Sequence, residues 1–199
     1  MGKPSEQRKQ EIIDATLDLA ASLGVKKVTT QAIADHVGIA QPTVFRHFKT
    51  RDAIFVAAIS SIGEGLFRNL AAFFSGTGPA DERLHQLVRA QLRFISQKRG
   101  LPRLLFSDRL HLESPLLKQA VQKIMNGYTQ QVSRMIREGQ AAGLMRQSLD
   151  ADESAWLVAA MIQGLVMRWS IFDFDFDLAA EAEPLWGFIA AALLVEKGG

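Results

Sequence analysis

Gln41, Thr43, Arg46 and His47 fall within seven residues of one another, and their side chains suit contact with a polyanion. On a short helix they form a polar, partly basic side, while Val44, Phe45 and Phe48 supply a side to bury. Two chemistries are open to Arg46. It can read guanine O6 and N7 bidentately, worth about 1–3 kcal/mol of discrimination, or hold a phosphate, which sets affinity without sequence preference. Gln41 suits an adenine edge or a plain polar first-turn position, and His47 suits either a phosphate or a structural bond. A second cluster, Ser107, Asp108 and His111, has the residue types of a hydrolytic relay. On a helix Ser107 and His111 would share a face, but the stretch lacks a strained nucleophile turn and an evident oxyanion hole. A hydrolase-like enzyme is therefore the minor alternative, and no enzyme activity is expected. His36, His47, His85 and His111 do not fall at i, i+4 spacing, so no metal site is expected, and no cofactor.

The elements that must position the first cluster run from Thr29 to Phe48, TTQAIADHVGIAQPTVFRHF. Thr29 or Thr30 can N-cap a helix carrying Ile33, Ala34 and Val37. Gly38 then breaks the pattern at a position suited to positive φ, and a second helix starts near Gln41 with Pro42 in its first turn, where a missing N–H costs nothing. A helix of about two turns is not stable alone. One that keeps an outward polar face is there for a partner, and two such helices around a tight turn read as a helix-turn-helix with DNA as that partner.

The bulk numbers agree with this and narrow it. The chain has 199 residues, 48% hydrophobic and 22% charged, enough for a real core and too apolar for disorder. Residues 1–51 hold eight Lys/Arg against five Asp/Glu, an excess of three where the whole chain nets only +2. There is no cysteine, which excludes a disulfide framework, thiolate catalysis and Cys-ligated zinc. The start, MGKPSEQRKQ, has no apolar signal-peptide core. The longest uncharged run, Ser154 to Met167, has 14 residues, short of the roughly 18–20 of a membrane span. A cytoplasmic location and no membrane partner are expected.

Helical spacing continues throughout, and no strand pattern competes with it, so the expected fold is all-α with about nine helices. The first runs from an N-cap at Ser5 to Leu23, with a stripe of Ile12, Ile13, Leu17, Ala20 and Leu23 and a stop at Gly24. Its basic start (Lys3, Arg8, Lys9) can brush a phosphate backbone. After the two short helices, Thr50 caps a fourth from Arg51 to Phe74. A fifth spans Asp81 to Gln97, and a shorter sixth has Pro102 in its first turn and ends near His111. A seventh spans Pro115 to Gln140, and an eighth Glu153 to Phe172. FDFDFD (172–177) reads as a loop, and the ninth helix spans Leu178 to Glu196 with Pro184 breaking or kinking its first part. The expected domains are a DNA-binding domain over 1–50 and an effector-binding and dimerisation domain over 51–199.

The arrangement over residues 5–60 resembles the TetR family of bacterial transcriptional regulators. EIIDATLDLAASLG resembles the family's first helix, TTQAIADHVGIA its second helix and turn, and QPTVFRHFKTRDAIF its recognition helix and the start of helix 4. The resemblance implies a homodimer on a palindromic operator, usually a repressor released by a small molecule. It also implies that Thr29 and Arg51 hold phosphates, that Gln41 and Pro42 meet base edges or the sugar–phosphate wall, and that Thr43 and Phe45 contact backbone. Arg46 and His47 would reach DNA, with Thr30 and Lys49 completing the set. Two positions depart from the family pattern: Phe45 stands where Tyr is frequent and has no hydroxyl for a phosphate, and Pro42 stands where Gly is frequent.

After residue 51 the chain is rich in large flexible apolar residues. Phe94, Phe106, Met125, Tyr128, Met161 and Arg168 are the expected lining of a cavity for an apolar or aromatic effector, with ordinary core as the competing reading. Arg168, inside an apolar helix, needs a partner, either an effector carboxylate or an acid such as Asp173. The eighth and ninth helices are apolar around much of their circumference, with Ala159, Ala160 and Gly164 allowing close approach. Two such pairs would make a four-helix dimer interface.

Overall fold

The computed structural model describes residues 4–195. Lys3, expected near DNA, and Glu196, the expected end of the last helix, lie outside them. Among the described residues there are nine α-helices and no strand: α1 (Ser5–Leu23), α2 (Thr30–Val37), α3 (Gln41–His47), α4 (Arg51–Phe74), α5 (Ala80–Ser96), α6 (Gly100–Leu105), α7 (Pro115–Ala141), α8 (Ala151–Ile171) and α9 (Ala182–Leu193). A 3-10 turn at Val25–Lys27 and a π-helical turn at Arg109–Glu113 interrupt the series.

Local chemistry sets most of the boundaries. Pro4, with φ −54°, precedes α1, so Ser5 is its first helical residue rather than its cap. Gly24 ends α1 at φ 79°, in the left-handed region that favours glycine. The buried side of α1 is Ile12, Ile13, Ala15, Thr16, Leu19 and Ala20. Leu17 is half-buried and Leu23 exposed, so the stripe is rotated from the expected one. Thr16 is fully buried because its hydroxyl donates to the Ile12 carbonyl at 2.7 Å. The Thr50 hydroxyl accepts from Ala53 N–H at 3.1 Å and opens α4, and Asp150 accepts from Asp152 and Glu153 N–H to open α8.

Two helices differ from expectation. The sixth helix ends at Leu105, and the chain reaches Pro115 through the π-helical turn instead of a helix to His111. The ninth helix begins at Ala182, which places Pro184 in its first turn, where it terminates nothing. Residues 178–181 are turns. The FDFDFD loop closes α8 with Asp173 at φ 50° and Phe174 at φ 64°. That backbone is held by Phe174 N–H donating to the Trp169 carbonyl at 2.8 Å and by the two rings meeting edge to face at 4.6 Å.

Packing divides the chain into two compact units: residues up to Glu64 with Lys98–Lys123, and Gly65–Gln97 with Ile124 onward. The expected cut at residue 50 is a division along the chain; packing differs from it because α6 returns onto α1. At that crossing a Cβ on Gly100 would lie 2.2 Å from the Leu17 carbonyl oxygen, so only glycine fits. The first unit's core includes Ile12, Val28, Ile33, Ala34, Val44, Ile54, Phe55 and Ala58. In the second unit α5 packs on α9 and α8 on α9, with Leu84, Leu87, Leu92, Ile162, Trp169, Leu185 and Ile189 buried. Arg146 N–H donates to the Leu193 carbonyl at 2.8 Å and pins the end of α9 to the α7–α8 loop. α4 and α8 each hold an 18-residue window of mean hydropathy 1.2, long and apolar enough to cross a membrane by composition. The 14-residue run understates this because it stops at the first charge. Ile54, Ile59 and Leu70 of α4 and Val158, Ile162 and Val166 of α8 place much of that apolarity in the core.

Candidate nucleic-acid interface

α2 and α3 are each about two turns and draw their order from neighbours. Thr29 caps α2 by accepting from Ala32 N–H at 3.0 Å, which leaves its hydroxyl proton free to donate outward. Gly38 at φ 73° turns the chain, its N–H bonded to the Ala34 and Asp35 carbonyls. Gln41, the first residue of α3, donates from its side-chain amide to the Thr30 hydroxyl at 2.8 Å, tying the two helices at their outer ends. Val44 and Phe48 are buried beneath α3, as expected. At the far end His47 Nδ1 lies 3.4 Å from the Ser5 hydroxyl of α1. The short helix is thus held from both ends and from below.

Its outward side carries the expected groups, with corrections. Phe45, read as part of the buried side, is exposed. α3 has only seven residues, and the buried positions fall four apart at Val44 and Phe48, leaving Phe45 one step round the helix. Pro42, Arg46 and Lys49 are exposed, and Thr43 is half-buried with its hydroxyl accepting from Arg46 at 3.2 Å. That bond points the guanidinium along the helix's outer face. Lys49 makes no ion pair among the described residues, nor does Lys27, which stands in the 3-10 turn just before the Thr29 cap. Sequence reasoning passes over Lys27; an exposed basic residue two positions before a Thr cap is the signal that would point to it. Arg8 pairs with Glu11 on α1 in a part-buried contact, and Lys9 with Glu6 in an exposed one, the latter of little energetic value.

Arg51 differs from expectation. Its guanidinium donates to the Val25 carbonyl at 2.6 Å and the Lys26 carbonyl at 3.3 Å, and it lies over the Phe55 ring. Burial lowers its pKa and the charge of Arg109 lowers it further. The residue fastens the start of α4 to the turn before α2. Beside it, Asp52 pairs with Arg109, which also reaches Glu113 at 3.2 Å and lies over the same Phe55 ring.

The hydrolytic alternative finds no relay. Ser107 Oγ donates to the Leu104 carbonyl at 2.7 Å, His111 Nε2 lies 3.1 Å from the Leu105 carbonyl, and Asp108 faces Lys26 at 3.6 Å. The six expected effector residues fall in both packing units. Phe106 belongs to the first unit and is exposed; the other five belong to the second. Tyr128 is buried, donating to Gln91 Oε1 at 2.6 Å, and burial pushes its hydroxyl pKa well up. Phe94 is half-buried against Gly65, and Met125 is half-buried. Met161 is exposed on α8. Arg168, expected inside an apolar helix, is exposed, its guanidinium over the Phe172 and Phe176 rings. α8 turns its residue-168 side outward, so the charge carries no burial cost.

Comparison with known proteins agrees with this geometry. Residues 12–58 match the family model described as bacterial regulatory proteins, tetR family, and residues 77–169 match the tetracyclin repressor-like C-terminal domain. The nucleoid occlusion factor SlmA of Marinomonas sp. (strain MWYL1) is 23% identical over 197 residues, covering 99% of this chain and 100% of that protein. SlmA of Marinobacter nauticus is 25% identical, covering 96% and 97%. Among solved structures, a putative transcriptional regulator from Saccharomonospora viridis in complex with choline superposes with TM-score 0.84 at 23% identity, covering 96% of this chain and 100% of that one. The regulator FadR from Bacillus subtilis in complex with stearoyl-CoA gives 0.76 at 21%, covering 90% and 96%.

Proposed function

This chain belongs to the TetR family of DNA-binding transcriptional regulators, and from that premise we propose that it is a cytoplasmic homodimeric repressor of a palindromic operator, released by a small apolar or aromatic effector. The observation that carries the reading is α3: a helix fixed from below by Val44 and Phe48 that holds Pro42, Phe45 and Arg46 outward. Thr29, Thr30, Gln41, Thr43, His47 and Lys49 complete the DNA-facing set, Lys27 joins it, and Arg51 is left to position α4. Contacts of this kind, dominated by phosphates, make binding fall steeply with salt. A gel shift on the DNA upstream of the protein's own reading frame tests this. Retardation that weakens from low to physiological salt is expected; no retardation at any salt would refute it.

The second copy is proposed to cover α8 and α9. Leu157, Met161, Gly164, Arg168 and Ile171 follow one another at helical spacing on the exposed side of α8, and Phe188 is exposed on α9. The effector is proposed to enter beside the Tyr128–Gln91 bond, where Phe94 stands one turn from Gln91 and Met125 one turn from Tyr128. A second reading is DNA binding at many dispersed chromosomal sites, favoured by the whole-length match to relatives named nucleoid occlusion factor. Chromatin immunoprecipitation separates the two: one or a few promoter sites support the repressor, and dispersed sites away from promoters support the alternative.

A further inference from the structure

We propose that an open groove in the second unit binds a small monoanion with a flat aromatic or apolar body. It deepens the effector reading above and rests on it: none of the six expected residues lines the groove, but Phe74 of its wall meets the Tyr128 ring edge to face at 6.4 Å. Its volume is about 580 Å³, within the roughly 300–1,000 Å³ of small-molecule sites.

Two helix faces make its walls. Phe67, Ala71 and Phe74 stand at i, i+4 and i+7 on α4, and Gln131, Arg134 and Glu138 at i, i+3 and i+7 on α7. The α4 wall is apolar, its two rings tilted at a centroid distance of 6.2 Å. Phe67 also packs against α7 at Gly127, where an added Cβ would lie 3.3 Å from its ring. Arg83 lines the groove too, with all three guanidinium nitrogens engaged: it donates to the Gly78 carbonyl at 2.9 Å, to the Phe73 carbonyl at 3.1 Å and to the Glu138 carboxylate.

The electrostatics follow from that engagement. Glu138 is neutralised by Arg83, so the wall retains one positive charge, Arg134, which is exposed and has no ion-pair partner among the described residues. Gln131, half-buried next to it, makes no side-chain hydrogen bond among the described residues. An apolar aromatic floor with one uncompensated guanidinium and one unused amide at its rim suits a flat body on Phe67 and Phe74 and a single carboxylate on Arg134. A dianion would meet no second free cation, and a neutral ligand would leave Arg134 unused.

The probes are naphthalene-2-carboxylate and its neutral counterpart 2-naphthalenemethanol, titrated calorimetrically into the full chain. The carboxylate is expected to bind about tenfold more tightly than the alcohol, as one charge-assisted contact implies. Arg134→Gln should bring the carboxylate down to the alcohol's affinity and leave the alcohol unchanged, whereas Ala71→Trp, which fills the groove from an exposed position, should abolish both. Thermal unfolding confirms that these surface variants fold. Failure of the wild type to bind either probe would overturn the proposal, as would carboxylate binding undiminished in either variant. Operator binding, measured separately by gel shift, stands or falls independently of these titrations.

Discussion

Replacing Leu157 by glutamate should convert the protein to a monomer while leaving its fold intact. Leu157, Ile171 and Phe188 keep 66%, 63% and 74% of their surface exposed, and Met161 is exposed beside them. Fully burying one such side chain contributes about 1.5–3 kcal/mol. The four together expose enough to supply about 4–7 kcal/mol per protomer, and about twice that over a symmetric pair. Association itself costs about 4–15 kcal/mol, so the surplus is a few kcal/mol, and a modest loss decides the outcome. The substitution would remove leucine burial on both protomers and place two unpaired carboxylates in a desolvated interface, each costing several kcal/mol unless it escapes to water. A total loss of only about 4 kcal/mol raises Kd by about 10³. Sedimentation equilibrium at micromolar concentration should then show a dimer for the wild type and a monomer for L157E. The variant should keep its circular dichroism and melting temperature, since Leu157 is exposed within the protomer. A dimer of unaltered Kd in L157E, or a monomeric wild type, would refute the assignment of α8 and α9 to the interface.

Arg46→Ala should weaken operator binding without changing thermal stability, because the residue is exposed and its side-chain bond is to Thr43. If it holds a phosphate, the loss is equal on random DNA and the salt slope falls by about one; if it reads guanine, operator affinity alone drops by about 1–3 kcal/mol. Unchanged affinity for both DNAs would remove it from the interface. Gly100→Ala gains up to about 1 kcal/mol of helix propensity, but its Cβ meets the Leu17 backbone at 2.2 Å. Overpacking of about 1–3 kcal/mol or more should win, and a rise in denaturation midpoint would contradict that close approach. Tyr128→Phe leaves Gln91 buried without its donor and should cost about 1–3 kcal/mol in urea unfolding. Burial raises the folded pKa of Tyr128 above its ordinary value of 10.0. Below pH about 10 both states keep the proton and stability is flat. Above it the unfolded chain ionises first, so wild-type stability falls by up to about 1.4 kcal/mol per pH unit. Tyr128 is the one tyrosine in the chain, so its tyrosinate absorbance should rise only with unfolding, and the phenylalanine variant should lack its part of the alkaline decline.

What can be read in advance is governed by distance along the chain. The Thr29 cap, the Gly38 turn, the Thr50 cap and the span of α4 depend on residues within four positions of one another, and each stands where local chemistry puts it. Burial on α1 is harder, since whether Leu17 or Leu19 faces the core depends on where α6 crosses, and nothing near residue 17 announces Gly100. Phe45 misleads because a large aromatic on a short helix reads as core, although seven residues offer only one buried line. The expected effector residues share only a type, flexible apolar and aromatic side chains after residue 51. Type does not distinguish Tyr128, locked to a glutamine 37 positions away, from Met161 on an outer face. The groove between α4 and α7 is illegible for the same reason: its distinguishing feature is that Arg83 consumes Glu138 and leaves Arg134 alone, a pairing across 55 positions.

The Arg51–Asp52 step shows how one local motif serves two ends. Read along the chain, a base and an acid at the start of α4 suggest a phosphate contact and a helix-dipole partner. In the fold each is turned inward to a different neighbour. Arg51 holds the carbonyls of Val25 and Lys26 at the turn that feeds the Thr29 cap, and Asp52 holds Arg109 from the π-helical turn. Both guanidiniums lie over the ring of Phe55, itself buried one turn further along α4. Burial first, and then the charge of Arg109, lowers the pKa of Arg51, which Glu113 partly offsets, while Asp52 and Glu113 pair with Arg109 itself. The first turn of α4 is therefore locked on one side to the segment that starts α2 and on the other to residues 109–113. Any displacement of the π-helical turn must pull on Asp52, and through the same helical turn on Arg51 and the cap of α2. The segment that leads into α2 is thus tied to residues 109–113 through two adjacent residues of α4.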